Sequence, residues 1–323
     1  MKKIITWLLL CLLSIWLIGC GDTPLETPTP EAPETPVSSF EYQENEDGGM
    51  TVTRFIGNET TVVIPKAING KNVTRIGEHA FHHQTGLLSV KIPSHVQEIC
   101  TSAFTGCQSL MQVSLPEGLL NIDAAAFREC AALATIELPN SLEKVGIFAF
   151  DKCTSLKSIT IPQSLKTLGS HAFSGAGLET VVFEQGCTLE VIDICAFYDT
   201  KIQEISLPTS IKTISFAAFE ACDRLERVSL NNGLEIIQDS AFSRTPIKEI
   251  IIPTTVTDMT EMTFEYCLSL EAVKFEGNAP TAYVYVNPQL PMEPECAAYT
   301  VYYHQDAIGF TSPTWNGYAS QIW

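Results

Sequence analysis

A cysteine at a fixed offset from an Ala-Phe pair is the first feature of this sequence that could do chemistry. The stretches AFTGCQSL, AFRECAAL, AFDKCTSL and AFEACDRL place Cys107, Cys130, Cys153 and Cys222 three residues after Phe104, Phe127, Phe150 and Phe219; Cys267 follows Phe264 in the same way. Thiols held in register could bridge as disulfides, hold zinc, attack as thiolates, or only fill space. A second cluster, His79, His82 and His83 in EHAFHH, brings metal-ligand types close together.

The other Ala-Phe units provide an internal comparison. Ala176, Thr200 and Thr245 stand where the cysteine would be, and those units reach their next apolar residue, Leu178, Ile202 or Ile247, one residue sooner. Cysteine therefore accompanies the longer turn. A small, mostly apolar thiol filling that turn, with its weak S–H offered to an unpaired carbonyl, accounts for the pattern. Disulfides are the first rival, because an exported protein meets oxidising surroundings. However, nine cysteines remain besides Cys11 and Cys20, an odd number that leaves a thiol free in a monomer. Zinc needs converging ligands, whereas a column points its thiols along parallel lines. Cys100, Cys195 and Cys296 receive no role. The position of His82 is taken elsewhere by Thr105, Arg128, Asp151 and Glu220, which reads as a solvated turn rather than a metal ligand. His-Glu-x-x-His, Gly-x-Ser-x-Gly and phosphate-cradling glycine loops do not occur. The reading is non-enzymatic, with no catalytic, cofactor-binding or metal residues and no cofactor.

Cys20 carries a different chemistry. Lys2 and Lys3 precede an apolar run from Ile4 to Ile18, too short for a comfortable membrane span, that ends in Leu17-Ile18-Gly19-Cys20. This resembles the lipobox of bacterial lipoproteins, which implies that residues 1–19 are a signal peptide and that Cys20 is lipidated. Residues 20–39 are rich in Pro, Thr and Glu and nearly devoid of apolar groups, so an extended tether is expected. At about 3.1 Å per residue it reaches roughly 60 Å. The expected location is membrane-anchored, at the cell surface or facing the periplasm. Lys and Arg number 19 against 37 Asp and Glu, a net charge of -18, which argues against nucleic acid or an anionic membrane surface as a partner held by charge.

The elements that position these residues are repeats. The phenylalanine recurs at Phe81, Phe104, Phe127, Phe150, Phe173, Phe197, Phe219, Phe242 and Phe264, at spacings of 22 to 24 residues. Each is preceded by an apolar anchor, such as Ile99 or Val145, and followed by a strand-like run, such as LMQVSLP or LKSITIP. A unit this short cannot bury its apolar face alone, so successive units must stack with their strands in parallel. Proline at the strand end has no N–H for the ladder, and the chain turns out there. The expected fold is a β-rich solenoid of about nine coils. The repeat resembles that of the BspA-type leucine-rich-repeat surface proteins of bacteria over residues 73–276. The resemblance implies a scaffold for adhesion, with host extracellular-matrix proteins or neighbouring cells as partners.

Residues 40–72 alternate apolar and polar and read as a β cap. After Glu276 the period stops, and residues 277–323 concentrate aromatics, among them Tyr283, Tyr285, Tyr299, Tyr302, Tyr303, Phe310, Trp315, Tyr318 and Trp323. Closing the open end of the solenoid is their expected use. Tyr302, Tyr303, Trp315 and Tyr318 are also candidates for an aromatic recognition patch, which would make the protein a glycan-binding accessory lipoprotein instead. The outward strand positions, Ser114, Thr160, Ser206 and Ser229 among them, form a hydroxyl-rich face without aromatics. Cys20→Ala is expected to release the protein from the membrane fraction, because one thiol carries the acyl anchor. Retention of the variant in that fraction would refute the assignment.

Overall fold

The computed structural model describes residues 32–280, 299–316 and 318–323. Cys20, Tyr283, Tyr285 and Cys296 lie outside them. Residues from Pro33 onward form one compact unit, a β-solenoid of about eleven turns of roughly 23 residues. Among the described residues, no helix is long and apolar enough to cross a membrane.

Two parallel ladders of strands run along the rod. The outer ladder is the expected one: Ser89–Lys91, Gln112–Ser114, Ser158–Ile161, Thr180–Phe183, Glu204–Ser206, Arg227–Ser229, Glu249–Ile252 and Ala272–Phe275. Its residues alternate in and out, as Ile159 and Ile161 are buried while Ser158 and Thr160 face water. The second ladder consists of two-residue strands carrying the anchor before each Ala-Phe pair: Glu98–Ile99, Asn121–Ile122, Lys144–Val145, Thr167–Leu168, Val191–Ile192, Thr213–Ile214, Ile236–Ile237 and Asp258–Met259. They pair rung to rung, as in Val145 with Ile122 and Leu168. Proline ends the outer strand, and its carbonyl then closes the corner that leads to the next coil, as in Leu119 N–H to Pro116 O at 3.2 Å and Leu165 N–H to Pro162 O at 3.1 Å.

Between the two ladders, the Ala-Phe turn builds a third set of inter-coil bonds. In the coil of Phe104, the N–H groups of Ser102, Phe104 and Gly106 reach the carbonyls of Ala124, Ala126 and Arg128 in the next coil, at 2.9, 2.8 and 2.8 Å. The bonds recur from coil to coil, for example from Phe127 to Ala149 and from Phe197 to Ala218. Aiming alternate N–H groups the same way requires left-handed backbone two residues before and two after the phenylalanine. Ser102, Ala125, Phe148, His171, Cys195, Ala217 and Ser240 before it have φ between 52° and 57°; Glu129, Lys152, Asp199, Ala221, Arg244 and Tyr266 after it have φ between 51° and 60°. Glycine takes the later position only at Gly106 and Gly175. For other residues this conformation costs on the order of 1–2 kcal/mol each; the ladder bonds offset it.

The core is one continuous cluster with the phenylalanines at its centre. All nine rings are fully buried. Successive centroids from Phe81 to Phe264 lie 4.8 to 6.0 Å apart with planes within 16° of parallel. This is the offset-stacked arrangement that aromatic quadrupoles favour.

The ends differ from the sequence expectation in three ways. Met50–Phe55 pairs in parallel with Lys71–Ile76, and Phe55 stacks on Phe81 at 5.3 Å, so the coils begin inside residues 40–72. Thr300–Tyr303 and Tyr318–Ile322 extend the outer ladder in parallel past residue 276. Met50–Phe55 and Thr300–Tyr303 keep apolar residues on the inward face, whereas Tyr318–Ile322 buries Ser320; all lack the Ala-Phe-x-x-Cys signature, which is why counting that signature yields nine coils. The tether boundary also moves. Thr35 is buried; its N–H donates to Val63 O at 2.9 Å, and its Oγ1 accepts from Val63 N–H at 3.0 Å. Phe104→Ala, in the middle of the ring stack, should destabilise the fold by about 3–5 kcal/mol, measured by urea denaturation. A loss below about 1 kcal/mol would mean that the stack is not a main source of stability.

Candidate binding surface

The cysteine column is built into the rod's hydrogen bonding. Cys107, Cys130, Cys153, Cys222 and Cys267 donate Sγ–H to the carbonyls of Phe81, Phe104, Phe127, Phe197 and Phe242 in the preceding coil, at 3.0 to 3.2 Å. In the shorter turns Thr200 and Thr245 bind the carbonyl of their own Phe197 and Phe242, at 3.0 and 2.8 Å. Cys100, Cys107, Cys130, Cys153, Cys187, Cys195 and Cys222 are free thiols. Burial pushes the Cys107 thiol up to about 12 and that of Cys222 to about 11, and raises Cys130 and Cys153 as well. Such groups are not thiolates at neutral pH, so nucleophilic chemistry is closed to them.

A parallel side-chain ladder at the proline corner was not anticipated. Ser141, Ser164 and Thr255 donate to the carbonyls of Leu119, Leu142 and Leu234, at 2.7, 2.7 and 2.6 Å. Each hydroxyl stands just before a buried apolar residue of the corner, Leu142, Leu165 or Val256, a recurrence that could have been read beside the cysteine column. The ladder fails at Ser210, whose hydroxyl has no partner. The coil before it carries the insertion around Cys187.

The histidine rings of His79, His82 and His83 pack edge to face, with centroids 5.1 and 4.1 Å apart. Partial burial, and then the neighbouring His83 and His79 charges, depress the His82 pKa. Among the described residues, the ligand-type atoms that converge are instead those of Glu98, Cys100 and Asp123, within 4.8 Å of one another. Glu98 is paired with Arg75 at 3.1 Å and Asp123 with Lys144 at 3.0 Å. Those cations already occupy the charge a metal would need.

The outer ladder presents the broad face. Through its middle it is hydroxyl-rich, with charges paired across rungs, as in Lys157 with Glu179 at 3.2 Å and Arg227 with Glu204 at 2.7 Å. At its C-terminal end the outward row changes to Ile251, Lys274 and Tyr302, which sit in register on adjacent strands. The proposed aromatic patch does not form as a unit. Trp315 is buried against Phe275 and Phe310, and its Nε1 donates to Gly309 O at 2.7 Å. Tyr303 is buried in a stack with Phe310 at 4.8 Å, and Tyr318 stacks on the buried Tyr299 at 4.5 Å. These three close the end of the core. Of the four, Tyr302 faces outward, joined there by Trp323, which is 43% exposed.

The ladders, the ring stack and the side-chain bonds to carbonyls define a leucine-rich-repeat solenoid. The profile of the BspA type leucine rich repeat region matches residues 74–193 and 190–286 in six copies, and the chain belongs to this family. A leucine-rich repeat protein from Bacteroides ovatus is similar at 28% identity and a TM-score of 0.70, over 83% of this chain and 70% of that one. The T. pallidum leucine-rich repeat protein is also 28% identical, over 74% of this chain and 91% of that one, with a TM-score of 0.51. A leucine rich cell surface protein of Faecalibacterium prausnitzii shares the fold at 20% identity and a TM-score of 0.56, over 91% of this chain and 94% of that one. No curated protein matches the chain.

The raised thiol pKa values give a pH dependence with a definite sign. In the native state Cys107 keeps its proton to about 12, whereas its ordinary value is 9.0. The unfolded state therefore binds fewer protons above pH 9, and stability falls as pH rises from there toward 12. The melting temperature should be flat between about pH 7 and 8 and decline more steeply above pH 9 in the native protein than in Cys107→Ser. Equal slopes would show that this thiol does not contribute.

Proposed function

We propose that the protein is a non-enzymatic cell-surface lipoprotein that holds a leucine-rich-repeat rod away from the membrane and binds other proteins with it, as an adhesin for extracellular matrix or for other cells. The supporting observation is the outer ladder: an outward face repeated rung after rung on a core fixed by ring stacking. Leucine-rich-repeat scaffolds of the BspA type serve protein binding or a surface role. The Faecalibacterium relative is called a cell surface protein, which supports a surface location for this one. Binding to an array of matrix proteins and glycans tests the proposal. Saturable binding to one or more proteins is expected; binding to glycans alone would overturn it in favour of a glycan-binding accessory role.

A further inference from the structure

We propose that the C-terminal end of the outer ladder is the docking site for an extended, Lys- or Arg-bearing segment of the partner protein. The inference rests on the protein-binding reading above and narrows it to one end of one face.

Three observations on that end point to a cationic, partly apolar ligand. First, the hydroxyl row, interrupted earlier by the exposed Val182, gives way to Ile251, 42% exposed, and then to Lys274, Tyr302 and Trp323, so that apolar and aromatic side chains adjoin one another at this end of the face. Second, the two rings already hold an ammonium. Lys274 Nζ lies 6.0 Å from the centroid of Tyr302 and 5.3 Å from that of Trp323, while Glu249 takes it at 2.6 Å. Two aromatic faces and a carboxylate are the set of groups that recognises an alkylammonium or guanidinium, and Lys274 shows that the set accepts one. Third, one of the breaks in the outer ladder, which also falls into separate sheets before Ser158–Ile161 and before Glu204–Ser206, lies next to this patch. Arg227–Ser229 and Glu249–Ile252 belong to separate sheets, and a shallow groove of about 640 Å³ lies along them.

Charge selects the sign of the ligand. Along the groove and its neighbouring rungs, Glu226, Glu249, Glu271 and Glu276 face Arg227, Lys248 and Lys274. Arg227 is already held by Glu204 through two bonds to one carboxylate oxygen, at 3.0 and 2.7 Å. Lys274 is held by Glu249. The remaining local field is negative, on a chain of net charge -18. A basic segment lying along the groove would meet carboxylates with its cations. Its apolar residues would cover Ile251, and one cation would replace or join Lys274 between the rings.

The test uses the full chain and a fluorescein-labelled ten-residue peptide of alternating lysine and valine, read by anisotropy at low and at physiological salt. Saturable binding that weakens with added salt is expected. Trp323→Ala and Glu276→Gln should each weaken it about fivefold, and the same peptide with glutamate for lysine should not bind. Both side chains are exposed, so an unchanged melting temperature separates lost contacts from lost fold. Glu137→Gln, on the same face but remote from the groove, should leave binding unchanged. The proposal is overturned if Trp323→Ala and Glu276→Gln bind as the parent does, or if Glu137→Gln weakens binding as much as they do. Binding of the glutamate peptide, or displacement of the lysine peptide by a neutral oligosaccharide, would also overturn it. Matrix-array binding with no peptide binding would refute this site alone. Peptide binding without any protein captured on the array would refute the broader adhesin reading.

Discussion

Stacking of one buried phenylalanine on the next fixes the geometry of this rod. Rings 4.8 to 6.0 Å apart match the natural separation of hydrogen-bonded strands, about 4.8 Å, so a single advance per coil satisfies both the ladder and the stack. That coincidence leaves little freedom elsewhere. Each coil must return its phenylalanine to the same angular position, which limits the unit to 22 to 24 residues. An insertion in one loop is tolerated only if it bulges out, as around Cys187.

The turn that carries the phenylalanine is held by hydrogen bonds rather than by residue preference. Left-handed backbone at two positions per coil is unfavourable for alanine, lysine or phenylalanine, yet Ala125, Lys152 and Phe148 adopt it. Each such residue gains an N–H bond to the coil above, and the alternative is an unpaired amide beside the core. The cysteine completes the same arrangement: the phenylalanine carbonyl turns inward, and the thiol of the next coil supplies a donor where water cannot reach. Threonine does this within its own coil when the turn is one residue shorter, which is why Cys and Thr alternate with turn length.

Much of this was legible in the sequence because one chain holds many copies of one local problem. The phenylalanine period, the parallel outer strands and the proline corners all follow from residue type and spacing. The second ladder was not legible as strand, since two residues per coil leave no room for an alternating pattern. The left-handed positions were hidden for another reason: His79, Ser102, Phe148 and Cys195 share no property that marks a turn, and only Gly106 and Gly175 hint at it. At the C-terminal end the period itself fails. Tyr302 and Tyr303 are adjacent, but strand alternation sends one outward and one into the core, and the phase of that strand is set by its pairing with Ala272–Phe275. Trp315 and Trp323 cannot be told apart by type, although one is buried against Phe310 and the other lies on the surface.

The two ends show how a structure that could propagate is made to stop. A parallel ladder exposes a row of unpaired backbone groups at each edge, and a solenoid with identical coils would accept another copy there. At the N-terminal end the edge of one ladder is closed by the antiparallel strand Phe40–Glu44, while the edge of the outer ladder is met by Thr35, main chain and side chain together. At the C-terminal end the short strand Thr314–Trp315 reverses direction against Tyr318–Ile322. Its tryptophan packs edge-on against the strand residue Phe275 and closes this end of the core. The core is thus closed by a bulky buried side chain, while strand alternation leaves Tyr302 on the outer face with Trp323 exposed beside it. The aromatic content of this end is a consequence of closure, and the surface it leaves beside Lys274 differs in chemistry from the hydroxyl-rich face through the middle of the rod.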